Sequence, residues 1–326
     1  MQQHLQWWKD LSAWGGDPCA IILVTVVRAD GSTPREVGAT MLLRFDSQQK
    51  WQQSDTIGGG HLEFQAIDIA KAMLAGSEQR ILFVERFNLS ARLGQCCGGV
   101  MWLLFEKITF SQKQNIADTY TAWQAGHVVI RELQYEQASK WHVLNESTVV
   151  TCEFWQKETR WKWQQVIQPY AMNVLIFGAG HVGEAIVRCL LPIGVKITWV
   201  DSRQEIFPQD LLPFVHCIDT DIPEQIIEKV DRNTAVLILT HDHQLDLQLC
   251  FAALKSTQPP FAYVGMIGSK SKRAIFEKRM TARGYSQTEL GRLVCPIGIA
   301  GISSKQPAII AVSVVAQLLQ VFDVKK

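Results

Sequence analysis

The fold is decided by MNVLIFGAGHVGEAIVRCLLPIGVKITWVDSR, residues Met172 to Arg203. A run rich in β-branched and apolar residues stops at a glycine turn. An amphipathic segment follows, and a second apolar run ends in an acid. That is strand, turn, helix, strand. The turn carries glycines at 178, 180 and 183, and Asp201 stands 23 residues after the first of them. Glycine serves there because the chain must turn tightly, approach a ligand closely and pack its helix against the strand. The acid at the end of the second strand suits a ribose hydroxyl. The glycine pattern alone is weak; with strand, helix and acid in register it specifies the first β-α-β unit of a doubly wound parallel sheet.

The rhythm continues to the end of the chain. A helix is expected at Pro223–Lys229, a strand at Ala235–Thr240, a helix at Leu245–Ser256 and a strand in FAYVGMIG. Residues 169–326 therefore read as a Rossmann-like domain. Thr240-His241-Asp242-His243 falls at the carboxyl end of a strand, where open parallel sheets bind ligands. Loop hydrogen bonding is the better reading than a metal site, because no third converging ligand is visible. GSKSKR opens the next helix and sets Ser269, Lys270, Lys272 and Arg273 around free N–H groups, a plausible phosphate site or a solvated basic helix start. Cys295 reads as structural, before a buried helix with Ser303 or Ser304 as its cap and Pro307 in its first turn.

With 326 residues, the chain has room for more than one core. Lys plus Arg number 32 against 31 Asp plus Glu, and a net charge of +1 excludes a general nucleic-acid or membrane-surface binder. The start, MQQHLQWWKDL, lacks the apolar stretch of a signal peptide, and the apolar run near 307–322 is broken by Ser313, Gln317 and Gln320. Eight cysteines without a pairing pattern fit a reducing compartment, so a soluble, cytoplasmic protein is expected.

Upstream of residue 110 the pattern is mixed α/β. A short helix is expected over 4–14, strands at Cys19–Val27, Ala39–Phe45, Ile81–Phe87 and Val100–Ile108, and a helix after Asp55-Thr56-Ile57 and three glycines. Three loops carry the chemistry of this domain, 1–109. GSTPREVG (31–38) offers Ser32, Thr33 and Arg35. The second, Gly58, Gly59 and Gly60 followed by His61 and Glu63, brings free N–H groups to a helix start, an anion site unless it is only a tight turn. Residues 110–168 read as a β-rich extension or connector after one helix, their tryptophans packing residues.

The third loop, LGQCCGG, sets Cys96 and Cys97 before Gly98 and Gly99. A disulfide between neighbours is geometrically poor, because adjacent Cα atoms lie about 3.8 Å apart and ordinary bridges want roughly 4.4–6.8 Å. A structural zinc site lacks partners, since the other cysteines are scattered singly. Two readings remain: accessible thiols beside glycines whose N–H groups favour thiolate and anions, or a pair of which one is simply a small buried residue.

Together GSTPREVGATML, TIGGGHLE, LGQCCGG, GAGHVG, LTHDH, YVGMIGSKSKR and CPIGIAGI occur in the order seen in the xanthine dehydrogenase accessory protein family, XdhC, within the wider XdhC/CoxI group, which this chain resembles. The match takes in both ends of the chain and leaves out mainly residues 110–168. The resemblance implies a non-enzymatic chaperone, a dimer that binds molybdenum cofactor, protects it, presents it to a cysteine desulfurase for sulfuration and assists its insertion into apo xanthine dehydrogenase. By motif, Cys96 or Cys97 is the contact to the cargo's molybdenum. Arg35, Gly58 to Glu63, Gly98 and Gly99 support it, and Gly178, Gly180, Gly183, Asp201, Ser269 and Lys270 are further contacts. One departure matters: the CoxI-like branch tends to carry a cysteine after its paired glycines, where this chain has Gly60 and His61. The competing reading is an NAD(P)-dependent oxidoreductase using the glycine turn and Asp201, which lacks a convincing acid or base beyond the THDH histidines.

Overall fold

The structure is a computed structural model that describes residues 5–14, 20–89, 98–144, 151–255 and 259–323. It divides into two compact units, Leu5–Pro169 and Tyr170–Lys326.

The first unit contains α1 (Gln6–Ser12), β1 (Ile21–Asp30), β2 (Thr40–Phe45), β3 (Trp51–Ser54), α2 (Gly60–Ala75), β4 (Leu82–Asn88) and β5 (Val100–Ile108). The strands pair antiparallel in the order β3-β2-β1-β5-β4. β1 outruns its expected end because Ala29 and Asp30 pair with Met101 and Val100 across a bulge at Val26–Arg28. β3 ends before the Asp55-Thr56-Ile57 that leads into the glycines because Asp55 turns to φ 58°, where its carboxylate accepts the Trp7 N–H at 2.8 Å. The chain continues through α3 (Lys113–Gln124) into β6 (Val128–Gln134), β7 (Gln137–Leu144), β8 (Glu153–Lys157) and β9 (Arg160–Ile167), a second antiparallel sheet ordered β7-β6-β9-β8.

Central β1 is apolar at consecutive positions because it is buried on both faces. Ile22, Val24 and Val26 pack with Leu62, Ala66 and Ala70 of α2. Ile21, Leu23 and Val27 join cores with Trp8, Trp141, Trp161 and Trp163. Residues 110–168 are thus packed into the first unit. Most of the tryptophans are buried, as expected of packing residues, and Trp155 is the half-exposed exception among the large exposed side chains.

The second unit contains β10 (Asn173–Phe177), α4 (His181–Leu190), β11 (Lys196–Asp201), β12 (His216–Asp219), α5 (Glu224–Lys229), β13 (Thr234–Ile238), α6 (His243–Leu254), β14 (Tyr263–Met266), α7 (Lys270–Thr281), α8 (Gln287–Gly291), β15 (Leu293–Val294) and α9 (Pro307–Asp323). Its six strands are parallel in the order β12-β11-β10-β13-β14-β15. Renumbered from the first strand this is 3-2-1-4-5-6, the dinucleotide-fold order. α4 and α9 share one core on the sheet, while α6, α7 and Ile227 of α5 share the other. The short β12, α8 and β15 escape a periodicity reading because too few residues carry each signal. Among the described residues no helix is long and apolar enough to cross a membrane.

Candidate functional site

Two motif loops of the first unit, and Gly98 and Gly99 at the described end of the third, meet at one end of its first sheet. Loop 31–38 leaves the end of β1 and enters β2; the 55–59 turn follows β3; Gly98 and Gly99 lead into β5. A Cβ on Gly58, at φ 122°, would lie 2.5 Å from Pro34 Cβ, and one on Gly99 would lie 2.3 Å from the Ser32 carbonyl oxygen. Only glycine at both positions lets 31–38 sit between its neighbours. Arg35 ties the loops electrostatically. Its Nη1 donates to the Thr56 carbonyl at 3.2 Å, and its other nitrogens hold Glu36 at 3.0–3.1 Å.

Within this cluster Glu63 turns inward. Its carboxylate accepts from the Thr56 hydroxyl, from the Ile57 and Gly59 N–H groups at 3.0 and 3.1 Å, and from Gln53 at 2.9 Å. Thr56 Oγ1 in turn accepts the Gly58 N–H at 2.9 Å. Partial burial raises the Glu63 pKa, but the bonds from Thr56, Gln53, Gly59 and Ile57 outweigh it and hold the carboxyl below its usual range. Most of the N–H groups that the glycine run promised to an anion are therefore spent within the loop. What stays open is the exposed start of α2, with Gly60 and His61, and the unobstructed faces of Gly59 and Gly98. Cys96 and Cys97, immediately before Gly98 in sequence, lie outside the described residues.

Behind the loops lies a buried polar network that periodicity did not announce. Arg131 of β6, fully buried, donates to Glu106 of β5, to Gln165 of β9 at 2.8 Å and to Thr25 of β1 at 3.2 Å. Gln165 donates to Thr40 Oγ1 and to the Gly38 carbonyl, each at 2.9 Å. The 31–38 loop is thereby anchored to an ion pair in the core. The available signal was an arginine in the apolar phase of VVIRELQ and a glutamate inside VMWLLFEKI.

In the second unit the glycine turn forms as expected. A Cβ on Gly178, at φ 107°, would lie 2.6 Å from the Leu239 carbonyl, and one on Gly183 would lie 2.2 Å from the Gly178 carbonyl. Gly180 faces open space before α4. Asp201, however, is committed internally. It accepts the Ala179 N–H at 2.6 Å, and Arg203 grips both its oxygens through Nε and Nη2 at 2.9 and 2.8 Å. Burial raises its pKa, yet the Arg203 and Ala179 bonds dominate and lower it. The hollow between Asp201, Gly178 and Thr240 holds about 20 Å³, space for about one water.

The THDH and GSKSKR motifs also turn to structural work. Asp242 caps α6, accepting the Gln244 and Leu245 N–H groups at 2.7 and 3.4 Å, while His241 and His243 are exposed. Ser269 caps α7 by accepting the Lys272 N–H at 3.1 Å. Lys272 points inward to fully buried Asp246, whose other oxygen accepts from Thr240 at 2.7 Å. Lys270 is exposed at the start of α7. Cys295 is buried, its thiol directed to the Ser269 carbonyl, and burial pushes its pKa up despite the nearby Lys272 and Arg273. Among the described residues no group of His, Cys, Asp or Glu is arranged to hold a metal ion.

These features define a two-unit α/β protein that joins a glycine-loop cluster on antiparallel sheets to a doubly wound unit whose acid is satisfied from within. Residues 16–88 match the XdhC and CoxI family, and residues 174–318 match the XdhC Rossmann domain. The chain belongs to the XdhC/CoxI family. It is 25% identical over 323 residues to a Bacillus subtilis (strain 168) protein named as a probable xanthine dehydrogenase subunit, covering 92% of each chain. It is 22% identical over 303 residues to an Escherichia coli (strain K12) protein named molybdenum cofactor insertion chaperone PaoD, covering 92% of this chain and 83% of that one. A crystal structure from Bacillus halodurans, described as a xanthine dehydrogenase, shares the fold with a TM-score of 0.74 at 22% identity, over 98% of this chain and 96% of that one.

Proposed function

We propose that this protein is a chaperone of xanthine dehydrogenase maturation that carries molybdenum cofactor as cargo and assists its insertion. The observation that carries the reading is the meeting of loop 31–38, the 55–59 turn and Gly99, distant in sequence, at one end of the first sheet, next in sequence to a pair of cysteines. Thiols suit a molybdenum centre, which prefers sulfur ligands. Arg35, His61 and the exposed start of α2 suit the cargo's phosphate. Family membership and the likeness to a named insertion chaperone support the same reading.

In this reading Cys96 or Cys97 holds the metal end, Gly98 and Gly99 give the cargo close access to the backbone, and Glu63 shapes the loop. The same reading makes the protein a dimer that presents its cargo to a cysteine desulfurase before delivering it to the apo-enzyme. The glycine turn and Asp201 are the observation that favours an NAD(P)-dependent oxidoreductase instead. The Ala179 and Arg203 bonds to Asp201 argue against it, because they occupy the carboxylate that a ribose would need.

The test is molybdenum and pterin content of the protein purified from cells that make the cofactor, alongside xanthine dehydrogenase activity in those cells. The double variant Cys96→Ala, Cys97→Ala is expected to lose bound metal and maturation while staying folded. Normal loading and normal maturation by that variant would overturn the reading.

A further inference from the structure

The last helix of the second unit, α9, has no polar face. From Pro307 to Phe322 the chain carries no charged residue, and its polar side chains there are Ser313, Gln317 and Gln320. Two of those three turn inward. Ser313 Oγ accepts the Ile299 N–H at 2.9 Å, and Gln317 Oε1 accepts the Tyr263 hydroxyl at 2.6 Å and the Gly298 N–H at 2.8 Å. One side of α9, with Ala311, Val314, Val315 and Leu318, is buried in the core it shares with α4. The side turned to solvent is apolar as well: Ile309, Val312 and Leu319 are 38%, 58% and 39% exposed, and half-buried Ala316 lies among them. A surface helix ordinarily shows water a polar face, and one that is apolar all round is covered on both sides.

The spacing of that face identifies the cover as another helix. Positions 309, 312, 316 and 319 step by three, four and three, the a and d spacing of a helix-packing seam. The seam is also its own complement. Laid antiparallel on a copy of itself about a two-fold axis, with the register centred between 312 and 316, Ile309 of each chain meets Leu319 of the other. Val312 then meets Ala316, a branched side chain against a small one. The charges agree with that order. It sets the positive start of each helix, just after exposed Lys305, beside the negative last turn of the other. Parallel order would bring like helix ends and both Lys305 side chains together. The seam itself is uncharged, so nothing repels an identical face.

We propose that α9 is a homodimer interface, paired antiparallel with α9 of a second copy of this chain along Ile309, Val312, Ala316 and Leu319. The seam places the dimer of the proposed maturation role on the second unit and rests on that part of the reading alone. Pairing is read by mass and cargo by molybdenum content, so the two fail separately.

Sedimentation equilibrium of the full chain tests the seam. Wild type is expected at twice the chain mass, and Ile309→Lys and Leu319→Glu each at the mass of one chain. Because the register sets 309 against 319, an equimolar mixture of the two variants is expected to return to the dimer mass, as a heterodimer with the introduced opposite charges in contact. A monomeric wild type, a dimer that persists in both single variants, or a mixture that stays monomeric would overturn the proposal. A persisting dimer would put the interface elsewhere and leave the cargo reading standing, whereas a dimeric wild type without molybdenum would count against the cargo and not against the seam.

Discussion

At the scale of single residues, the charged groups that matter most to the fold are the ones that face inward. Arg131 and Glu106 are both under 5% exposed, and each would be stranded without the other. Arg131→Met is expected to destabilise the protein by about 3–5 kcal/mol, because it leaves a buried carboxylate unpaired, whereas Arg131→Met with Glu106→Leu should recover most of that loss. Urea unfolding of the two variants checks it. Asp201 supplies a pH-dependent contribution. Its folded pKa is lowered, so the stability it adds is present above the unfolded value of about 3.9 and is lost as pH falls through the lower folded value. The difference in Tm between wild type and Asp201→Asn is accordingly expected to be flat above about pH 5 and to shrink below about pH 4, measured by thermal melts across that range.

At the scale of elements, the glycines divide by what surrounds them. Gly178 and Gly183 stand where any Cβ meets backbone, so alanine at 178 forces the turn after β10 away from Leu239 and Thr240 beyond β13, and alanine at 183 forces helix α4 away from Gly178. Gly180 has ordinary φ of −80° and open space. Gly178→Ala and Gly183→Ala are expected to lower Tm, by several degrees for each kcal/mol lost, and Gly180→Ala to leave it nearly unchanged. Thermal unfolding of the three variants decides the matter. Gly58 is constrained differently: its φ of 122° and the Pro34 ring, rather than backbone, oppose a Cβ where the 31–38 loop meets the 55–59 turn.

At the scale of the whole molecule, the cores respect one boundary. The three cores of the first unit draw on residues up to Ile167, and the two of the second begin at Met172. Residues 170–326 expressed alone are therefore expected to fold with one cooperative transition, followed by far-ultraviolet circular dichroism; a non-cooperative melt would show that the second unit depends on the first. The stretch 110–168 supplies Trp123, Trp141, Trp161 and Trp163 to the cores of the first unit, which accounts for four of its five tryptophans, Trp155 being half-exposed.

By itself the sequence determined the longer elements and the doubly wound class, because apolar periodicity and glycine turns are recorded over a few neighbouring residues. In Met172–Arg203 every signal is of that local kind, and strand, turn, helix and acid all stand where the spacing set them. Tertiary structure alone decided which of the motif residues remain available to a ligand. Whether Asp201 meets a ribose or Arg203, whether Lys272 meets a phosphate or Asp246, and whether the loop N–H groups meet an anion or Glu63 depend on side-chain orientation and competing partners. Gln165 reaches the Gly38 carbonyl across 127 positions of chain. That contact exists only once two sheets are registered against each other, and no local pattern encodes such a distance.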